Sequence, residues 1–580
     1  MKQVKTDFYS RCKTHFDKIY GNSASDTHLK RLESLKNKYD FKVHKPKPAE
    51  ELWSHSDHIL ITYADMVKAR IKDSQTHLSK QHQFLKENLS DVISSVHILP
   101  FFPSSSDDGF SVIDYRRVDE EYGSWNDVEN MATDFRMMAD MVINHISRHS
   151  YWFRMYLQQK KPYKNYFITI PNDIDLSQVT RPRSSPLLTL VHTVDGEKLV
   201  WTTFSHDQKD LNFKNPDVLF EFLDIFFLYV SKGIKVIRLD AVAFIWKEIG
   251  TKSIHLPRTH EIVKLFRTLT DYLFPDVTLI TETNVPHKEN ISYFGDGDEA
   301  HMVYQFSLPP LLLHALVTEN GAYLTEWASS LKKLPKGCTY FNFTASHDGI
   351  GMRPLEGLVP DDEFMQLVEG IKDRGGMVSY KQNSDNTMSP YELNITYYDA
   401  FATQNGSVGL QEKRYFCSQI IMLSLRGVPG IYFHNLTGTQ NYYEGVKLTG
   451  RHRTINRRKW YYDEITDLLD DKSSMTYSIF DKYKTIISIR NQHPAFHPFG
   501  KQKVYDAGRD FFILERTAPD DGEIVLVICN MTKADKDLDL IKMGLPVDKN
   551  KTYKNLLPGQ HQVDNGKLKM KGHDYLWLKI

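Results

Sequence analysis

The stretch KVIRLDAV, residues 235–242, decides the fold, because a short apolar run closes on the charged residues Arg238 and Asp240. A strand that is apolar on both faces and charged only near its end is typical of a parallel sheet covered by helices. Segments with helical periodicity, such as 216–232 and 258–273, lie between this run and similar apolar runs. Seven further runs share the pattern: 58–65, 95–102, 138–145, 277–283, 302–308, 339–348 and 428–433.

Eight such strands alternating with helices predict an α/β fold, a (β/α)8 TIM barrel formed by residues 51–145 and 212–490. An open doubly wound sheet is the alternative on periodicity alone. The gaps after the third and seventh runs are too long for simple connections. They predict an inserted domain at 146–211 and an inserted loop subdomain at 349–415.

Two flanking segments have a different character. The tail, 491–580, contains FFILERT, EIVLVICNM and HDYLWLKI between turn residues, which predicts a C-terminal antiparallel β domain. Residues 1–50 are polar with leucines at helical spacing, and they predict a helical N-terminal extension. We expect that extension to pack on the barrel or to form contacts in a homodimer.

The composition limits the class of partner. Hydrophobic residues make up 41% and charged residues 25%, as in ordinary globular proteins. Lys+Arg and Asp+Glu both total 73, so no bulk basic field exists to hold nucleic acid or anionic lipid. No segment has the length of apolar residues that a membrane span needs, and no signal core begins the chain. Cys12, Cys338, Cys417 and Cys529 lie far apart, which predicts reduced thiols and a cytoplasmic location.

Acidic and imidazole groups follow several of the predicted strands. They are Asp107, His145, Asp240, Glu282, His347 and Asp348. One such acid alone is more often a helix cap or a solvated loop charge. In a parallel barrel, however, all strand ends open on one face, so these groups are expected to meet in one pocket. Several carboxylates in apolar surroundings indicate glycosyl transfer with retention, which needs one nucleophile and one acid.

Four segments resemble the signature regions of the α-amylase superfamily of retaining α-glycosidases: DMVINH (140–145), IRLDAV (237–242), LITET (279–283) and FTASHDG (343–349). The resemblance implies Asp240 as the nucleophile and Glu282 as the general acid/base. It implies Asp348 as the stabiliser of the transition state.

Finer motifs resemble the sucrose-phosphorylase subfamily, whose members break an α-glucoside with phosphate instead of water. These motifs are HILPFFPSSSDDGFSVIDYRRVDEEYGSW (97–125), FSLPPLLLHAL (306–316) and RTINR (453–457). The resemblance implies a set of glucose-binding residues: Asp107, Phe110, His145, Gln208, Arg238, Phe244, His347 and Arg457. Asp107 and Arg457 would hold the region of the 4-hydroxyl. For Phe110 and Phe244, simple core packing is the alternative.

Two residues are implied for phosphate. RPR (181–183) lies in the first inserted region, where the subfamily places a phosphate-binding arginine, so we expect Arg183 to bind phosphate. Tyr391, in SPYELNITYY, resembles the tyrosine of the loop that helps to bind phosphate. A surface loop stiffened by Pro182 is the alternative for RPR.

The acceptor side departs from the subfamily pattern. Sucrose phosphorylases carry Asp-Leu-Tyr-Gln where this chain has Ser389, Pro390, Tyr391 and Glu392. Loss of that Asp relieves repulsion against an anionic leaving group, so we expect Ser389 and Glu392 to lie on the acceptor side. RPRSSPLLTL and the long N-terminus look like the glucosylglycerate phosphorylases of the subfamily. The expected reaction converts 2-O-α-D-glucosylglycerate and phosphate to α-D-glucose 1-phosphate and D-glycerate.

Other readings stay open. One is a phosphorylase of sucrose, sucrose 6-phosphate or glucosylglycerol. Another is an α-glucoside hydrolase or transglucosidase, which would release free glucose or polymer. A non-catalytic carbohydrate-binding relative is the most distant. The expected chemistry needs no metal and no organic cofactor, and its partners are the glucoside and inorganic phosphate.

Overall fold

The computed structural model describes residues 2–71, 73–171, 173–183, 185–382, 387–402, 408–559 and 563–580. Every predicted site residue lies within these ranges. Parts of the predicted domains, among them 383–386 and 403–407 of the predicted loop subdomain, lie outside the described residues.

Eight parallel strands close into a barrel in sequence order, which confirms the predicted fold. From first to eighth they are Ile59–Thr62, Ser95–Ile98, Arg136–Val142, Ile234–Asp240, Thr278–Thr281, Met302–Tyr304, Thr339–Phe343 and Val428–Tyr432. The first strand pairs with the eighth from Ile59 opposite Gly430, and this pairing closes the sheet. A glycine suits this position because an added Cβ would lie 2.3 Å from the ring of Phe341.

Helices follow the strands and pack against them. The longer ones are His77–Leu89, Trp125–Met131, Pro216–Ser231, Pro257–Leu273, Leu308–Val317, Ala322–Ser330, Val408–Ser424 and Met475–Arg490. The eighth strand is also followed by Phe433–Thr437, Tyr443–Thr449 and Tyr462–Asp470. Helix Pro216–Ser231 shows why a helix begins where it does. The Asn215 side chain accepts a hydrogen bond from the Asp217 amide, and a proline stands in the first turn.

The gap after the third barrel strand holds a small inserted region. It contains the helix Tyr151–Leu157, the antiparallel pair His145–Ser147 and Gln208–Asp210, and the sheet Thr169–Ile170, Gly196–Trp201 and Leu188–Thr193. The buried ammonium group of Lys247 joins this region to the barrel. Its Nζ lies 2.6 Å from Asn144 Oδ1 and 2.6 Å from Asp210 Oδ2. Three separate stretches of chain therefore meet on one internal cation.

The gap after the seventh strand holds the helix Asp361–Asp373 and a three-stranded antiparallel sheet. The strands are Ile350–Gly351, Met388–Asn394 and Met377–Gln382, with Met388–Asn394 in the middle. Ser379 pairs with Glu392, but the next residue, Tyr380, pairs with Pro390. Tyr391 is thus the extra residue of a β-bulge. A bulge changes the direction of a side chain relative to the regular alternation of a strand.

Two helices, Lys2–Tyr20 and Ser25–Lys38, form the N-terminal part of the chain. The first packs on the barrel helix Pro257–Leu273. The contact is polar as well as apolar, because His15 Nδ1 lies 2.5 Å from Glu261 Oε1. The N-terminal helices are therefore anchored on the helix that connects the fourth and fifth barrel strands.

The C-terminal residues form two antiparallel sheets, as predicted. One has the order Lys501–Tyr505, Phe511–Thr517, Ile524–Asn530, Tyr575–Lys579 and Lys554–Asn555. The other has the order Lys536–Asp539, Lys567–Met570 and Val563–Asp564. None of the helices in the described ranges combines the length and the apolar character that a bilayer crossing requires.

Candidate active site

Two adjoining cavities lie at the C-terminal ends of the barrel strands. The inner cavity has a volume of about 250 Å³ and is lined by twelve of the fifteen predicted site residues: Asp107, Phe110, His145, Arg183, Gln208, Arg238, Asp240, Phe244, Glu282, His347, Asp348 and Tyr391. The outer cavity, of about 620 Å³, is lined by Glu392 and Arg457 among others. Ser389 lines neither cavity; it lies opposite Lys381 in the inserted sheet.

Asp240 ends the fourth barrel strand and is oriented by a buried ion-pair network. Arg238 Nη1 lies 2.6 Å from Asp240 Oδ1, and the same guanidinium group pairs with Asp140. His97 Nε2 lies 2.7 Å from the other oxygen of Asp140, and Arg238 Nε donates to the Tyr304 hydroxyl at 3.1 Å. The sequence analysis missed this support, although Asp140 opens the quoted segment DMVINH.

Glu282 lies beside Asp240 and is held through the backbone. Its Oε2 accepts a hydrogen bond from the amide of Ala241 at 3.2 Å. Ala241 has φ 52°, a left-handed conformation that is uncommon for a residue other than glycine. This strained turn directly after Asp240 directs the amide towards Glu282. Strain of this kind is kept where the surrounding structure uses it.

The two buried carboxyl groups influence each other's titration, because each lies in the field of the other. Burial raises the pKa of Glu282, Arg238 opposes the rise, and the charge of Asp348 adds to it. Burial also raises the pKa of Asp240, against the pull of Arg238. Only Asp240 makes a direct ion pair with the guanidinium group, so the charge is best held there and the proton on Glu282.

Asp348 differs from Asp240 and Glu282, because its arginine neighbours outweigh the effect of burial on its pKa. Burial would raise its pKa, but the guanidinium groups of Arg453 and Arg457 hold the pKa well below its usual range. Arg453 Nη1 lies 2.6 Å from Asp348 Oδ1. Arg453 is a second residue that the sequence analysis missed, although it begins the quoted segment RTINR. Burial thus raises the pKa of Asp240 and of Glu282, whereas neighbouring guanidinium groups lower that of Asp348.

Arg457 and Asp107, both predicted to hold the region of the 4-hydroxyl, have separate partners. Arg457 pairs with the carboxylate of Asp108, and its Nε donates to the carbonyl oxygen of His347 at 2.7 Å. Asp107 accepts a hydrogen bond from Gln208 Nε2 at 3.3 Å. Asp107 lines both cavities, whereas Asp108 and Arg457 line only the outer one.

Aromatic and imidazole rings form one wall of the inner cavity. Phe110 stacks on His347 with ring centroids 4.7 Å apart and planes 7° apart. His145 Nε2 donates to the carbonyl oxygen of Phe110 at 3.0 Å, and Phe244 meets Phe204 edge-on at 5.4 Å. Burial lowers the pKa of His347 to about 3, so this imidazole is neutral at pH 7. These rings both pack and face the cavity.

The remaining wall is rich in cations. The Arg183 guanidinium lies 5.4 Å from the centre of the Tyr391 ring, and Arg183 lines both cavities. Arg353 and Lys381, which the sequence analysis did not single out, line the inner cavity beside them. Glu392 does not offer a free charge, because its carboxylate is paired with Arg453. Within the described ranges no cluster of side chains has the composition of a metal site.

Comparison with known proteins places these features in a family. The family model described as the catalytic domain of alpha-amylase matches residues 80–349. The glucosylglycerate phosphorylase of Spirochaeta thermophila is 44% identical over 97% of this chain and 97% of its own length. The enzyme of that name from Escherichia coli is 45% identical over 86% of this chain and 87% of its own length.

A solved structure supports the same fold. The crystal structure of sucrose 6F-phosphate phosphorylase from Thermoanaerobacter thermosaccharolyticum matches with a TM-score of 0.71 and 26% identity. The match covers 84% of this chain and 96% of that chain. This chain therefore shares its fold with that sucrose 6F-phosphate phosphorylase over most of its length.

Proposed function

Because the chain belongs to the glucosylglycerate phosphorylases of the α-amylase superfamily, we propose that it cleaves 2-O-α-D-glucosylglycerate with inorganic phosphate. The products are α-D-glucose 1-phosphate and D-glycerate. The reaction transfers a glucosyl group, and the anomeric carbon keeps its α configuration.

One observation carries the chemical part of the proposal. Asp240, Glu282 and Asp348 come from three different barrel strands and line the same inner cavity. The guanidinium groups favour the ionised form of Asp348, and the ion pair to Arg238 favours the charge on Asp240 and the proton on Glu282, as a retaining glycosyl transfer requires. This arrangement supports Asp240 as nucleophile, Glu282 as acid and base, and Asp348 as the group that stabilises the transition state.

In the first step the bond between the anomeric carbon and the glycerate oxygen breaks. Asp240 forms a bond to that carbon from the opposite face, and Glu282 gives its proton to the departing oxygen. Arg238 holds the attacking carboxylate in position through its 2.6 Å contact. The result is a β-glucosyl-enzyme and free D-glycerate. Asp348 remains negative throughout and balances the positive charge that develops on the sugar ring.

In the second step phosphate takes the place of glycerate. A phosphate oxygen attacks the anomeric carbon, Asp240 leaves as carboxylate, and Glu282 takes the proton from the phosphate. Two inversions give net retention. The same carboxyl group is therefore an acid in the first step and a base in the second.

Fixed positive charge favours phosphate over water as the second nucleophile. Arg183 lies where the outer and inner cavities meet, so it can contact an anion that enters from outside. Burial raises the pKa of Tyr391, so its phenol stays protonated and can donate a hydrogen bond to the anion. We assign phosphate binding to these two residues.

The cytoplasm is the proposed location. The four cysteines are all buried and unpaired, which agrees with a reducing compartment. A disulfide would have argued for an oxidising one.

The decisive experiment measures phosphate release from α-D-glucose 1-phosphate with different acceptors. D-glycerate is expected to give rapid release, and fructose, fructose 6-phosphate and glycerol slow release. The glucoside formed from D-glycerate is then identified by NMR. Release with fructose but not with D-glycerate would contradict the proposal, and free glucose formed at the same rate without phosphate would indicate a hydrolase.

A further inference from the structure

The inner cavity is lined by more cations than the proposed glucosyl transfer uses. Six cationic side chains line it: Arg181, Arg183, Arg238, Arg353, Lys381 and Arg453. Arg238 and Arg453 are committed to carboxylates at 2.6 Å. In the described part of the chain, no carboxylate lies within 4 Å of Arg353, and Lys381 has only Glu356 at 3.6 Å. Positive charge is thus left for a ligand.

Arg353 stands on a segment whose backbone is anchored by hydrogen bonds. It begins the 3-10 helix Arg353–Leu355, whose Pro354 carbonyl accepts a hydrogen bond from Ser307 Oγ at 3.0 Å. Just before it, the amide of Met352 donates to the Tyr391 carbonyl at 3.0 Å. A cation on a fixed backbone loses little conformational freedom when it binds an anion.

A neighbouring contact relates Arg353 to the general acid. An added Cβ on Gly351 would lie 3.1 Å from Asn284 Nδ2, so the two segments touch. Asn284 follows Glu282 by two residues and lines the inner cavity. Its buried Oδ1 has no hydrogen-bond partner in the described residues. This wall therefore offers both charge and an unused polar atom next to Glu282.

The residue across the sheet from Lys381 carries no charge. Lys381 pairs in register with Ser389, and side chains opposite each other in an antiparallel sheet are in direct reach. A carboxylate at position 389 would neutralise Lys381, whereas a hydroxyl group does not. Glu356 is half exposed, so solvent screens its contact with Lys381 at 3.6 Å. An anionic ligand can therefore displace Glu356 from Lys381 at little cost.

We propose that Arg353 and Lys381 form a carboxylate-recognition pair that selects D-glycerate as the aglycone. This inference rests on the proposed function. In 2-O-glucosylglycerate the carboxyl carbon is bonded to the carbon that bears the leaving oxygen, so the carboxylate comes close to Glu282 and Asp240. Its negative charge would be repelled there without nearby cations. Arg353 offers a planar fork for two hydrogen bonds, and Lys381 offers a point charge.

The test compares two acceptors that differ in this group alone. D-glycerate carries a carboxylate where glycerol carries a hydroxymethyl group. We would measure phosphate release from α-D-glucose 1-phosphate and take the ratio of kcat/KM for the two acceptors. Arg353→Met and Lys381→Met are each expected to lower the glycerate-to-glycerol ratio at least about tenfold, the loss typical of one charged hydrogen bond.

Ser389→Asp provides a test that removes no cation. It places a carboxylate opposite Lys381 and is expected to lower the same ratio. Lys372→Met is the matched control, because Lys372 is an exposed lysine of the same inserted region and does not line the cavity. Its ratio is expected to equal that of the unaltered chain. Thermal unfolding of each variant shows which are folded, and Ser389→Asp keeps the test valid if a methionine variant does not fold.

The failure of this inference differs from the failure of the proposed function. If the unaltered chain prefers D-glycerate and the ratio of the folded variants stays within about twofold, other groups recognise the carboxylate and the inference is wrong. The same holds if both acceptors lose activity equally. If the unaltered chain releases no phosphate with D-glycerate at all, the proposed function is wrong instead.

Discussion

Arg453 holds the buried carboxylate of Glu392 with two hydrogen bonds, from Nε to Oε2 at 2.9 Å and from Nη2 to Oε1 at 2.8 Å. The third nitrogen of the guanidinium group contacts Asp348. The inserted sheet and Asp348 are thus joined through one side chain. Glu392 serves as a counter-ion of Arg453, and it also lines the outer cavity.

Arg453→Met is expected to destabilise the protein by about 3–5 kcal/mol, because it leaves a buried carboxylate without its partner. Glu392→Gln should cost less, about 1–3 kcal/mol. In the double variant position 392 no longer carries an unpaired charge and only Asp348 has lost a partner, so the unfolding temperature should exceed that of Arg453→Met. Thermal unfolding of the three variants forms a double-mutant cycle. Strict additivity would show that the two side chains do not interact.

Asp240→Asn and Glu282→Gln separate the nucleophile from the acid. Asp240→Asn should lose at least about a thousandfold in activity on every glucosyl donor while its unfolding temperature is kept. Glu282→Gln should lose as much with glucosylglycerate but far less with α-glucosyl fluoride, because fluoride leaves without a proton. Initial rates with the two donors check this. Equal losses of Glu282→Gln with both donors would assign the acid to another residue.

Arg183→Met tests the phosphate site. Phosphorolysis should fall about 10- to 100-fold, the effect of losing a charged hydrogen bond to the anion. Hydrolysis of the glucosyl-enzyme should change by less than about threefold, since water needs no cation. Arg154→Met, an exposed arginine in the same inserted region, is the control. A variant of Arg183 that kept its full use of phosphate would refute the assignment.

Lys247→Met should destabilise the protein by about 3–5 kcal/mol, because Asp210 and Asn144 lose the cation that they share. Adding Asp210→Asn removes the unpaired charge and should recover part of the loss. Differential scanning calorimetry of the single and double variants measures the difference. If the double variant were less stable than Lys247→Met, the hydrogen bonds that Asp210 accepts from Thr203 and Asn144 would outweigh the cost of its unpaired charge, and Lys247 would not be its main partner.

Stability should fall as the pH falls below neutrality. Burial lowers the pKa of His347 and of His434 to about 3, from an ordinary value near 6.5. Between those values the unfolded chain binds more protons than the folded chain, so stability is complete above pH 6.5 and is lost towards pH 3. At pH 5 each histidine lowers the free energy of unfolding by about 2 kcal/mol relative to neutral pH.

His434→Gln isolates one of these two contributions. Burial is the main cause of the low pKa of His434, with Lys459 and Arg458 adding to it. The difference in unfolding free energy between pH 7 and pH 5 should shrink by about 2 kcal/mol in this variant. Urea unfolding at both pH values measures it. An unchanged difference would mean that His434 is not a neutral buried base.

Local pattern was enough to predict the barrel and the meeting of its strand-end carboxyl groups in one cavity. Each strand is an apolar run, and the groups at its end, such as Asp240 and Glu282, must meet because parallel strands share one open face. The predicted runs were longer than the strands at their C-terminal ends. Leu99 and Phe101, for example, are fully buried but lie past the end of the second strand. Hydrophobicity marks burial, and it does not mark where a hydrogen-bond ladder ends.

The contacts between distant segments were beyond the reach of local pattern. Arg457 is 349 residues from its partner Asp108, and nothing in the sequence distinguishes Asp108 from the adjacent Asp107. The register that sets Lys381 opposite Ser389 depends on the bulge at Tyr391, which only the paired strands reveal. Tertiary packing determines the ion-pair partner and the strand register, and composition and spacing do not indicate either.

The bulged strand that carries Tyr391 belongs to an insertion that the barrel does not need in order to close. The groups proposed to attack the sugar lie at the ends of the barrel strands, whereas Lys381, proposed to contact the aglycone, lies on the inserted sheet. Most of the proposed chemistry and part of the proposed substrate choice therefore lie on different pieces of chain. Substitutions confined to that insertion can change which leaving group is accepted, while the carboxyl groups on the barrel stay in place.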